Sequence, residues 1–159
     1  MSRDSEALVA RLHNFRGGVV DTSTLIYLER VGLLALTIRS FCLFLLPQVA
    51  AEYGAIPAGT IPLRAVPSGP ADTVLCQVAQ MLGVPVLSED GKVLRAARAR
   101  HLPYYNTLMI ILALCAQGDL TLAAYDDIRR DLLGFARYGP QVVAVGDSVF
   151  AALRRSPTG

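Results

Sequence analysis

Short continuous apolar runs alternate along this chain with stripes of apolar residues at helical spacing, and that alternation predicts a parallel α/β fold. Gly17-Gly18-Val19-Val20, Phe41 to Leu46 and Val84 to Ser88 read as strands, since a strand covered on both faces needs no polar positions. A helical lead over about residues 4–15 precedes the first strand. Thr22 or Ser23 then caps a helix through Arg30, and a second helix over about 32–39 leads into the next strand. Pro47 suits the first position of a helix running to about Tyr53. Pro57, Pro62, Pro67 and Pro70 make residues 54–70 an irregular connection, with room for a short edge strand over 61–66. Val74, Leu75, Val78, Met81 and Leu82 keep helical period from Pro70 until Gly83 closes the helix. Lys92 to His101 reads as a basic helix, 107–116 and 121–133 as a helical pair split by Gly118, and 145–154 as a last helix. No linker or repeat interrupts this order. The expectation is one domain over 1–159, a three-layer α/β/α fold around a central, mostly parallel sheet.

Composition narrows the class. The 159 residues are 53% hydrophobic and 18% charged, which excludes a disordered chain and suits a packed core without disulfide staples. Net charge is +2, too little to mark a nucleic-acid binder by electrostatics alone. Cys42, Cys76 and Cys115 are an odd, scattered set in apolar segments, read as small buried hydrophobes in a reducing compartment. Val31 to Ala51 imitates a membrane span, but Arg39 in its middle and Pro47 argue for a helix and a strand instead. The N-terminus lacks the basic-then-apolar order of a signal peptide. A cytoplasmic protein with no membrane association is expected.

Four acids carry the candidate chemistry. Asp21 and Asp90 each follow an apolar run, and in a parallel sheet all strand carboxyl ends face the edge where ligands bind. Glu52 lies one helical turn past Pro47, where a helical side chain leans back toward the strand edge. Asp72 stands in the first turn of its helix. Each has an ordinary explanation: Asp21 as a helix cap, Glu52 as a solvated helix-face acid, Asp72 as a partner of the helix dipole, Glu89 or Asp90 as turn acids before Gly91. Together, four carboxylates at one edge repel unless a cation neutralises them. Hard oxygen donors favour Mg²⁺ or Mn²⁺. His13 and His101 lie outside these segments, and no thiol cluster offers a zinc site. Such a metal, with Thr22, Ser23 and Ser88 as polar neighbours, is apparatus for phosphodiester hydrolysis.

The ordered motifs Val19-Val20-Asp21-Thr22-Ser23-Thr24-Leu25-Ile26, Leu46-Pro47-Gln48-Val49-Ala50-Ala51-Glu52, Ala71-Asp72-Thr73-Val74-Leu75 and Val84-Pro85-Val86-Leu87-Ser88-Glu89-Asp90, with the helix from Thr107 to Gly118, resemble the PIN-domain family of metal-dependent ribonucleases, VapC-type toxins among them. The likeness runs from about residue 17 to 153. It implies a hydrolase that cuts single-stranded RNA, with Asp21, Glu52, Asp72 and Asp90 as catalytic, metal-binding acids. It also implies an antitoxin protein as a potential partner. The alternative is a catalytically silent PIN-like module that binds RNA or protein.

Lys92, Arg95 and Arg98 fall on one face of the basic helix beside Asp90, spaced to track a phosphate backbone. Tyr104-Tyr105 reads either as a core lid or as a stacking platform for bases. The apolar segments 107–116 and 24–35 exceed the needs of one core, which points to a homodimer.

Overall fold

The computed structural model describes residues 3–155. They form an α/β protein with a single five-stranded, all-parallel sheet and nine helices among the described residues. In chain order these are α1 (Arg3–Asn14), β1 (Gly17–Val20), α2 (Thr22–Arg30), α3 (Leu34–Ser40), β2 (Cys42–Leu45), α4 (Pro47–Tyr53), β3 (Ile61–Pro62), α5 (Ala71–Leu82), β4 (Val86–Leu87), α6 (Gly91–Ala99), β5 (Tyr104–Tyr105), α7 (Thr107–Ala116), α8 (Leu122–Leu133) and α9 (Pro140–Arg155). Among the described residues the packing separates two compact units, residues 16–107 and residues 3–15 with 108–155.

The unit of residues 16–107 holds the whole sheet, in the order β3-β2-β1-β4-β5. The chain winds outward from β1 through β2 to β3, then returns across β1 to β4 and β5. Parallel crossovers are right-handed, so this reversal puts α2, α3 and α4 on one face and α5 and α6 on the other. The contacts agree: α2 packs on α3 and α4, and α5 packs on α6. The three-layer arrangement follows. Reversal also makes the gap between β1 and β4 the switch point of the sheet, and ligands bind outside strand carboxyl ends at such a point.

Gly17 and Gly18 permit the close approach at the centre. A Cβ on Gly18 would stand 2.3 Å from the Pro85 carbonyl oxygen, and one on Gly17 2.0 Å from that of Cys42. Both contacts are with backbone, which cannot swing aside. β1 therefore pairs tightly on both sides, with Val20 opposite Leu45 and Leu87. Asp21 N–H adds a further bond, 2.8 Å to the Leu87 carbonyl, which carries the alignment to the residue beyond the strand.

In the unit of residues 3–15 and 108–155, α1 packs against α9. Gln117 Nε2 donates to the Leu12 and Phe15 carbonyls at 3.0 and 2.8 Å, Tyr125 stacks on Phe150 at 4.1 Å, and Arg129 pairs with Asp147 through two bonds.

Several expectations are corrected. Tyr104-Tyr105 is the edge strand β5, and Tyr105 is buried, which removes it as a base-stacking platform. Within the run 84–88 the strand proper is Val86–Leu87, with the Pro85 carbonyl accepting from Val19 N–H and Ser88 N–H donating to the Tyr105 carbonyl at its ends, and α9 begins at Pro140 rather than near Val145. Cys76 and Cys115 are buried, but Cys42 is exposed, because β2 alternates rather than being dry on both faces. Met81 is 74% exposed although it keeps the period of α5. Helical period marks a face without saying how far along it the covering elements reach. Most of α7 is buried in this single chain, so its apolar character needs no second copy. Among the described residues, no helix is long and apolar enough to cross a membrane.

Candidate metal centre

Asp21 and the turn Ser88–Asp90 leave the adjacent ends of β1 and β4, at the switch point. Asp21 caps α2 itself, in place of Thr22 or Ser23: its Oδ1 accepts from Thr22 N–H at 2.8 Å. Its Oδ2 accepts from Ser88 Oγ at 2.7 Å, and the same Oγ accepts from Asp90 N–H at 3.0 Å. One buried hydroxyl thus joins the two acids. Asp90 caps α6, with Oδ1 accepting from Lys92 N–H at 2.8 Å. The capping explanations are correct as far as they go, but each accounts for one oxygen of a carboxylate that has two.

Pro47 and Pro70 place the other acids. Pro47 starts α4, which carries Glu52 on its exposed second turn. Pro70 is the residue at the mouth of α5, and Asp72 follows in its first turn. All four acids line one cavity of about 380 Å³, with Ser23 and Lys92 among its other walls. Burial holds the Asp21 carboxyl above its ordinary pKa, and the negative charges of Glu52 and Asp90 push the same way. The bonds from Ser88 and Thr22 offset part of this.

The set fits a hard divalent cation in chemistry, since the cavity offers four carboxylates and Asp21 among them is destabilised as an anion, first by burial and then by the charges of Glu52 and Asp90. Among the described residues, no three Asp, Glu, His or Cys side chains are gathered tightly enough to clasp an ion between them. Mg²⁺ does not demand that: it retains several waters and takes one or two carboxylates directly. Asp21, Glu52, Asp72 and Asp90, which line one cavity, are the residues that would hold it.

The remaining expected residues divide. Ser23 lines the cavity, and Ser88 sits behind it as the hydroxyl link. Thr22 is buried, with its Oγ1 unpartnered. Lys92 lines the cavity, whereas Arg95 and Arg98 are exposed along α6. The Arg95 guanidinium folds back over Gly91, 3.3 Å from where a Cβ there would stand, and so lies over the first turn of α6. Sequence reasoning missed Glu89. Along an extended turn, alternate residues point to opposite sides, so Glu89 faces away from Ser88 and Asp90, and that alternation was the available signal.

Protein-family models, curated proteins and solved structures, each compared with this chain, give no match.

Proposed function

We propose that this chain is a PIN-like endoribonuclease that uses Mg²⁺ or Mn²⁺ to cleave single-stranded RNA. The observation that carries the reading is the convergence of Asp21, Glu52, Asp72 and Asp90 on one cavity at the switch point of a parallel sheet. Four acids beside a single lysine repel one another without a cation, and capping α2 and α6 uses one oxygen each of Asp21 and Asp90 and calls for neither Glu52 nor Asp72. Bound there, the cation would lower the pKa of a water and neutralise charge on the scissile phosphate. Asp21, Asp72 and Asp90 would hold the cation, with Asp21 oriented by Ser88 and by its own capping bond. Glu52, on α4, would orient the attacking water or a second ion. Lys92 at the cavity wall and Arg95 and Arg98 along α6 attract the RNA backbone toward the acids. The PIN resemblance further implies a cytoplasmic toxin countered by an antitoxin.

Incubation of end-labelled single-stranded RNAs with Mn²⁺, with EDTA as control, tests the reading. It expects cleavage that EDTA abolishes. RNA retained on the protein but never cut would support the silent binding module instead.

A further inference from the structure

We infer that Glu89 is the positioning residue of this centre, fastening the turn that carries Ser88 and Asp90 to the start of α2 that follows Asp21. The inference rests on the metal-centre reading above. Glu89 stands between two residues of the site and does not line its cavity. Its carboxylate is half-buried on the other side of the turn. There it accepts from Thr24 Oγ1 on α2, and from Thr107 N–H at 2.9 and 3.1 Å through its two oxygens. Its own N–H donates to Ser23 Oγ at 3.2 Å.

These bonds have a common effect. Ser23 and Thr24 lie two and three residues after Asp21, and Glu89 is flanked by Ser88 and Asp90. The bonds therefore hold together the two stretches of chain, from β1 and from β4, whose carboxylates must meet at one ion. The donation from Thr107 also satisfies an amide at the first turn of α7, where a negative charge is favoured by the helix dipole. Turning a metal-site acid by fractions of an ångström matters because Mg²⁺ demands near-ideal octahedral geometry of the one or two carboxylates that bind it directly. Groups that orient metal ligands from behind typically contribute 10- to 100-fold in affinity or activity.

Mn²⁺ binding by the metal-free protein, followed calorimetrically with unfolding measured in EDTA, tests this without reference to catalysis. Glu89→Ala is expected to bind Mn²⁺ about 10- to 100-fold more weakly, and Glu89→Gln to recover much of the loss. Thr24→Val, which removes one donor at nearly constant shape, is expected to weaken binding severalfold and serves if Glu89→Ala does not fold. Leu33→Ala, a buried change outside the site, supplies a destabilised control whose Mn²⁺ affinity stays at the wild-type value. Wild-type affinity in Glu89→Ala, or in Thr24→Val where that variant carries the test, overturns the inference and leaves the metal centre standing. So does an equal loss in Leu33→Ala. Failure of the wild type to bind Mn²⁺ overturns both.

Discussion

Ser88 Oγ lies 2.7 Å from Asp21 Oδ2, although the two residues are separated by most of the sheet-bearing unit in sequence. The bond exists because Val20 and Leu87 are register partners in β1 and β4, so the residue after each strand meets its counterpart at the same edge. Ser88→Ala should therefore leave Asp21 short of a donor in a half-buried setting. Chemical denaturation of the metal-free protein should show a loss of about 1–3 kcal/mol. The Asp21 pKa, followed by carboxyl NMR, should rise further, since the lost bond favoured the ionised form.

The raised Asp21 pKa has a defined sign in stability. Between the unfolded value near 3.8 and the higher folded value, the folded chain binds more protons than the unfolded one. This group's contribution is thus fully present below about 3.8 and is lost as pH rises through the folded pKa. In EDTA, wild-type stability relative to Asp21→Asn should fall across that window on going from acid to neutral pH. A gap that stays constant with pH, measured by urea unfolding, would refute the burial and charge argument.

Gly18→Ala should disrupt the centre from beneath. The added methyl meets the Pro85 carbonyl at 2.3 Å, so β1 and β4 must separate. A loss of about 3 kcal/mol or more is expected in thermal or urea unfolding, because the obstacle is backbone rather than a mobile side chain. A near-neutral effect would mean that the register relaxes easily, and the placement of Asp21 against Ser88 would lose its basis.

Lys92, Arg95 and Arg98 should act on affinity rather than on chemistry. Replacing each by Ala should weaken single-stranded RNA binding and flatten its salt dependence, by about 0.7 in the log–log slope for each phosphate contact removed. Fluorescence anisotropy across a salt series reads both effects. An unchanged slope in the triple variant would place the RNA elsewhere.

The strand–helix alternation was legible in the sequence because long apolar runs and stripes report burial directly. So were the acids at the ends of β1 and β4, since a strand end is also a run end. Short pairings were not: β5 is two tyrosines whose role depends on the neighbouring β4, and nothing local distinguishes them from a loop. The exposure of Met81 and Cys42 depends on what covers each element, which periodicity does not encode. Glu89 escaped for a related reason. Its partners Thr24 and Thr107 are distant in sequence, and a half-buried acid looks like a solvated one until its donors are placed.

The single-turnover rate of RNA cleavage against Mn²⁺ concentration, in wild type and in Asp21→Asn and Asp72→Asn, tests the metal centre most directly. Each amide keeps the shape of its acid and removes a charge the cation needs. The rate should fall by orders of magnitude in both variants while circular dichroism shows them folded, and the Mn²⁺ dependence should move to higher concentration where activity survives. Wild-type rates in either folded variant, or cleavage that persists in EDTA, would contradict the account.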